Sequence, residues 1–172
     1  TVGTGKMYAS PCQAIAAAQS NDTVEIAPET YTDTCAISVP GLTVRGVGGR
    51  PKIDLSNGTP SGQKGIYVIN ADGITLENLE LTGAHIDASA GENGAGIRIQ
   101  ATNLTVRGCY IHDNQNGILG GPPQPGGFLL VEASEFARNG MGNGCNSSGC
   151  THNLYIAANF DKFTFQYNWS HS

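Results

Sequence analysis

Leu104-Thr105-Val106-Arg107-Gly108 places apolar side chains at its first and third positions and polar ones between them, the period-two pattern of a strand with one buried face. The phrase recurs as Leu42-Thr43-Val44-Arg45-Gly46, Ile74-Thr75-Leu76-Glu77-Asn78, Leu129-Leu130-Val131-Glu132-Ala133 and Phe163-Thr164-Phe165-Gln166-Tyr167. A second phrase precedes the last four copies: Gly65-Ile66-Tyr67-Val68, Gly96-Ile97-Arg98-Ile99, Gly117-Ile118-Leu119-Gly120 and Asn153-Leu154-Tyr155-Ile156. A third follows them, as Leu79-Glu80-Leu81, Cys109-Tyr110-Ile111, Ser134-Glu135-Phe136 and Asn168-Trp169-Ser170. The unit is therefore strand, turn, strand, bend, strand, turn. Its connections are too short for helices, so the strands wind into a coil whose rungs stack about 4.8 Å apart.

The rungs are not equal in length. Ile97 to Ile118 takes 21 residues, Ile66 to Ile97 takes 31 and Ile118 to Leu154 takes 36. The surplus falls just before the Gly-Ile-x-Ile strand each time, as insertions near residues 84–93 and 139–151. Insertions on one edge of a solenoid mark its binding face. The whole chain, 1–172, is expected to form one β-helix domain, with 1–22 as a cap segment and 23–172 as rungs.

Composition agrees with a coil of short strands. Of 172 residues 24 are Gly, roughly double the usual share, and 13% are charged against ~25% in ordinary proteins. Glycines such as Gly46, Gly65, Gly96, Gly108 and Gly117 fall at rung boundaries, where the chain turns. With 39% apolar residues and a net charge of −5, the chain is neither collagenous nor disordered. Nine basic residues, scattered and outnumbered by 14 acids, argue against a nucleic-acid or anionic-membrane partner. No apolar run approaches the ~20 residues of a membrane span.

The start of the chain reads differently. Ser10 is placed as an N-cap and Pro11 at the first helical position, ahead of the helix-favouring run Gln13-Ala14-Ile15-Ala16-Ala17-Ala18. This small helix would plug one end of the coil. Cys145 and Cys150 flank a polar loop with a spacing that suits a local disulfide, and Cys12 and Cys35 form a second candidate bridge from the helix to an early strand. Paired cysteines point to a secreted or cell-surface protein. Cys109 should face inward as an inert buried thiol.

Val2-Gly3-Thr4-Gly5-Lys6-x-Tyr8, the Ala-rich helix, and Asp22-Thr23-Val24-x-Ile26-x-Pro28-x-Thr30-Tyr31 resemble the start of a right-handed parallel β-helix of the pectin-lyase-like superfamily. The resemblance covers nearly the whole chain. It implies an all-β, right-handed parallel β-helix with an N-terminal capping α-helix and, since the chain ends within a rung at Trp169-Ser170-His171-Ser172, an uncapped C-terminal end. It also implies an acidic polysaccharide lying in a groove along one sheet, walled by the longer turns. The chain lacks the Arg-x-Pro-x-x-Arg of pectate lyases, the Asn-Thr-Asp, Asp-Asp and Gly-His-Gly series of polygalacturonases and the Asp-Pro-His-Asp of mannuronan epimerases. No catalytic residue is carried over from those families.

Candidate site residues therefore come from the columns. Outward positions on the strand beside the insertions are Tyr67, Arg98, Leu119 and Tyr155, with Gln100 one step further. Tyr rings offer stacking faces for sugars, and Arg98 a bidentate partner for a uronate carboxylate. His112, His152 and Tyr155 are candidate bases and Arg98 the cation for a lyase, which needs a base to remove the proton next to the carboxylate and a positive group to stabilise the enolate. Asp113, Asp87 and Glu92 are candidate substrate contacts. The competing reading of His112-Asp113-Asn114 is a polar turn whose side chains bond the backbone. The acids are dispersed, so no bound metal and no cofactor is expected. The expected function is a secreted lyase or hydrolase acting on acidic polysaccharide. The alternative is a non-catalytic glycan-binding or structural module, assembling end to end into a filament through the open end.

Overall fold

The computed structural model describes the chain except residues 57, 92, 141–144, 147, 148, 158 and 172, and excepting the side chains of 88, 145, 146, 149 and 150. Three parallel sheets carry the rungs. The first stacks β1 (Thr23–Ile26), β4 (Thr43–Gly46), β7 (Thr75–Glu77), β10 (Leu104–Arg107), β13 (Phe128–Glu132) and β18 (Lys162–Gln166). The second stacks β2 (Thr30–Tyr31), β5 (Lys52–Asp54), β8 (Glu80–Thr82), β11 (Tyr110–His112), β14 (Glu135–Ala137) and β19 (Trp169–His171). The third stacks β3 (Cys35–Ile37), β6 (Gly65–Ile69), β9 (Ala95–Ile99), β12 (Asn116–Gly120) and β17 (Leu154–Ile156). Two short strands, β15 (Cys145–Asn146) and β16 (Gly149–Cys150), pair antiparallel within the longer insertion.

The columns read from the sequence set the register of the first sheet. Val44, Leu76, Val106 and Val131 align and are fully buried, as are Leu42, Ile74, Leu104 and Leu129. Burial of each such side chain contributes about 1.5–3 kcal/mol. Phe163 and Phe165 continue both columns in register but are 47% and 41% exposed, because β18 is the outermost strand of its sheet and packs on one side only. On the outer face the charges alternate as expected: Arg45 reaches Glu25 at 2.6 Å and Arg107 reaches Glu132 at 2.6 Å. Such cross-strand pairs hold the rungs in step.

One register differs from the reading of the sequence. Gly65 pairs with Ala95 rather than Gly96, so the spacing there is 30 residues and Tyr67 stands opposite Ile97. Tyr67 is fully buried inside the coil and is no stacking platform for a sugar. Burial raises the pKa of its hydroxyl, which has no hydrogen-bond partner among the described residues. A buried polar group left unpaired destabilises. Tyr67→Phe is therefore expected to raise the unfolding free energy by about 1 kcal/mol in urea titrations; a loss of stability would show that the hydroxyl is satisfied in solution.

The corners between sheets have their own rules. At the last four corners from the first sheet to the second, one residue takes a left-handed backbone: Asn78 at φ 53°, Gly108 at 62°, Ala133 at 49° and Tyr167 at 56°. At the corner from the second sheet to the third, Asn114, Asn139 and Asn153 form a ladder. Asn114 Nδ2 donates to Asn139 Oδ1 at 3.0 Å, and Asn139 Nδ2 donates to Asn153 Oδ1 at 2.9 Å. Each amide also bonds backbone of its own or a neighbouring rung, so the ladder ties three rungs at the edge from which the insertions leave.

The helix α1 spans Pro11–Ala17 and buries Ala14 and Ile15. Pro11 occupies its first turn as expected, but Ser10 makes no side-chain cap. Asp33 caps it instead, accepting from the Cys12 amide at 2.7 Å. The Cys12–Cys35 disulfide is formed and ties α1 to β3. The expected Cys145–Cys150 bridge concerns side chains outside the described residues. Cys109 is fully buried, and burial pushes its thiol up to about 11, which leaves it inert at neutral pH.

Candidate functional site

The outer face of the third sheet carries one column of side chains in the order Ala36, Val68, Arg98, Leu119, Tyr155. Its upper half opens into a cleft of about 420 Å³ lined by Arg98, Gln100, Leu119, Pro122, Tyr155 and Asn159. The Pro-rich segment 121–127 walls the cleft on the side toward the first sheet. Asn159 holds that wall, accepting from the Gly126 amide at 2.9 Å and donating to the Pro122 carbonyl at 3.0 Å. The insertions leave from the opposite edge. Among the described residues the wall of this cleft is thus built by 121–123, Ala157 and Asn159, on the edge opposite the one where the sequence places extra length.

Arg98 dominates this cleft. No carboxylate pairs with it among the described residues, its Nε is buried without a partner, and burial lowers its pKa because desolvation disfavours the cation. Gly120 makes room for it: at φ +107° it suits glycine, and a Cβ there would come within 3.4 Å of Arg98 Nε and 2.8 Å of the Ile99 carbonyl. Lys64 adds a second positive group, its Nζ donating to Gln100 Oε1 at 3.4 Å. Tyr155 is 55% exposed and stacks on His152, ring centroids 5.6 Å apart. Arg98, Gln100 and Tyr155 thus line one cleft, and His152 stands beside it through its stacking on Tyr155.

His112 and Asp113 do not join them. They belong to the second sheet and line a separate cleft of about 450 Å³ with Lys52, Asp54, Thr82 and His85. His112 is almost fully buried; its Nδ1 lies 2.5 Å from Asp113 Oδ2 and its Nε2 3.2 Å from Glu80 Oε1. Both ring nitrogens are engaged by carboxylates, so the imidazole has no free nitrogen to act as a base, which corrects its assignment to the lyase set. Asp113 is turned to Arg138, which donates two bonds at 2.9 and 2.6 Å. Asp87 is exposed, lies 3.9 Å from His85 and lines neither cleft. Glu92 lies outside the described residues. Among the described residues no three His, Cys, Asp or Glu side chains converge on a metal-sized space.

The Arg138 guanidinium beside Asp113 holds that carboxyl down at about 2, below its ordinary 3.8. A carboxylate depressed on folding stabilises above its unfolded pKa and loses that contribution as the pH falls. Asp113→Asn is accordingly expected to cost about 1 kcal/mol at pH 7, after discounting for a side chain one-third exposed. The difference from the native chain should vanish between pH 4 and pH 2 in acid-unfolding curves. A deficit that persists below pH 2 would assign the effect to packing.

Gln115 went unnoticed in the sequence. It is buried, its Oε1 accepts from the Ile86 and Gly94 amides at 2.9 and 2.8 Å, and its Nε2 donates to the Ile86 carbonyl at 2.8 Å. It pins both ends of the first insertion to the rung that follows.

Three parallel sheets wound in register, with a cleft on the outer face of one of them, define a parallel β-helix. The family model "Right handed beta helix region" matches residues 40–172, and the chain belongs to that family. Two crystal structures of the pectin methylesterase from Aspergillus niger share the fold. The form penultimately deglycosylated superposes with a TM-score of 0.64 at 15% identity, covering 98% of this chain and 56% of the esterase. The deglycosylated form gives 0.63 at 15%, with the same coverage. The chain thus spans about half the length of these esterases, and likeness at this identity establishes the fold alone. No curated protein matches the sequence.

Proposed function

We propose that this chain is an extracellular, carbohydrate-active β-helix protein that binds an acidic polysaccharide along the outer face of its third sheet. The observation that carries the reading is Arg98, a half-buried cation with no carboxylate partner among the described residues, on the floor of the cleft. A uronate carboxylate fits that guanidinium bidentately, while Tyr155 and Gln100 offer a stacking face and a hydrogen-bonding amide to the sugar rings. The Cys12–Cys35 disulfide supports a location outside the reducing cytosol. The pectin-related neighbours support a polysaccharide ligand.

The chemistry that this arrangement suits is β-elimination. Arg98 neutralises the carboxylate and stabilises the enolate that forms when a base, Tyr155 Oη or the His152 imidazole stacked on it, removes the proton on the adjacent carbon. The electron pair then forms the ring double bond, the glycosidic C–O bond breaks, and the leaving oxygen takes up a proton. Incubation with pectate, alginate and glycosaminoglycans is expected to give unsaturated ends that absorb in the near ultraviolet. Retained binding with no absorbance on any of them would overturn elimination and leave a glycan-binding module.

A further inference from the structure

On the second sheet one outward column runs Thr30, Lys52, Glu80, Tyr110, Glu135, Trp169. Within it a device appears twice. Tyr110 stacks on His112 with centroids 4.0 Å apart, and His112 Nε2 meets Glu80 of the preceding rung at 3.2 Å. Trp169 stacks on His171 at 4.1 Å, and His171 Nε2 meets Glu135 of the preceding rung at 3.1 Å. Each aromatic ring is thus backed on one face by an imidazole that a carboxylate holds in place; Trp169 is 63% exposed, and Tyr110 is partly exposed with its hydroxyl held by Arg138. Tyr110 and Trp169 stand two rungs apart, about 9.6 Å.

The charges of this strip are satisfied within it. Glu80 and Glu135 hold the two histidines, Asp113 holds Arg138, and Lys52 pairs with Asp54 at 2.9 Å. Among the described residues of this strip no cation stands without a carboxylate beside it. A polyanion gains nothing here, while two rigid aromatic faces at a two-rung interval suit a ligand that repeats an apolar face at that interval. We infer that the second sheet is a separate binding strip for an uncharged, extended glycan chain of the β-1,4-linked kind, in which every second sugar presents the same face to Tyr110 and then to Trp169. The inference is independent of the acidic-glycan reading of the third sheet.

Trp169 is the chain's single tryptophan, so its fluorescence reports directly on the strip. Cello-, manno- and xylo-hexaose are titrated into the full chain. At least one is expected to change the emission with saturation, and oligogalacturonate is not. Tyr110→Leu should weaken that binding about tenfold, equivalent to ~1.4 kcal/mol. Trp169→Leu, followed by calorimetry and checked for fold by circular dichroism, should weaken it similarly and leave oligogalacturonate binding unchanged. No response to any neutral hexaose, an equal response to oligogalacturonate, or a neutral response that survives Tyr110→Leu would each overturn the inference.

Discussion

Asn114→Ala should lower the unfolding free energy by about 3 kcal/mol, the largest single loss expected outside the apolar core. Asn114 is fully buried and uses all of its amide. Its Oδ1 accepts from the Ala84 amide at 2.9 Å, and its Nδ2 donates toward the Leu81 and His112 carbonyls and Asn139. Truncation leaves several of these groups buried without partners, each worth about 1–3 kcal/mol. The Ala84 amide begins the first insertion, so amide exchange along that insertion should accelerate with the loss of stability. Equilibrium urea unfolding measures the first effect; a loss below 1 kcal/mol would show that the ladder is dispensable.

Arg98→Ala should weaken oligogalacturonate binding about 100-fold, the ~2.7 kcal/mol expected for losing a charged, partly desolvated pair of hydrogen bonds. The fold should not suffer, because Arg98 makes no ion pair among the described residues and relieving a partly desolvated guanidinium removes a penalty. Affinity and stability therefore move apart for this residue, whereas Asn114 moves stability first. Arg98→Lys should recover only part of the affinity, since an ammonium lacks the planar fork that matches a carboxylate. If Arg98→Ala leaves affinity unchanged, the third sheet is not the binding face.

The rungs were legible because Leu104-Thr105-Val106-Arg107 and its copies alternate cleanly, so one face must be inside. The same alternation placed Arg45, Glu77, Arg107 and Glu132 in one outward column. Register failed where alternation fails: β6 is buried at every position, so nothing in Gly65-Ile66-Tyr67-Val68-Ile69 tells which set faces in. Matching glycine to glycine moved Tyr67 to the wrong face. The Cys12–Cys35 bridge was legible because it joins two elements that the sequence marks plainly.

The candidate site was less legible, for a different reason. Arg98, Gln100 and Tyr155 come from alternation on neighbouring strands, and columns suffice to gather them. His112 ends a rung near the same edge, which in the sequence groups it with them, yet it lies on β11 of the second sheet and a corner intervenes after Asp113. Its partner Glu80 is 32 residues away, and only the stacking of rungs brings them together. The Asn114, Asn139 and Asn153 ladder left a faint trace, an asparagine directly after the left-handed residue in Asp113-Asn114 and Arg138-Asn139. The wall at 121–127 depends on Asn159, whose bonds cross between rungs and have no local signature.

The carboxylate is the group on which recognition at the third sheet turns, and calorimetric titration with matched oligogalacturonates isolates it. The free acid should bind, with affinity falling as salt rises, while the fully methyl-esterified oligomer of equal length should bind at least about tenfold more weakly. Equal affinity for acid and ester would contradict a uronate paired with Arg98.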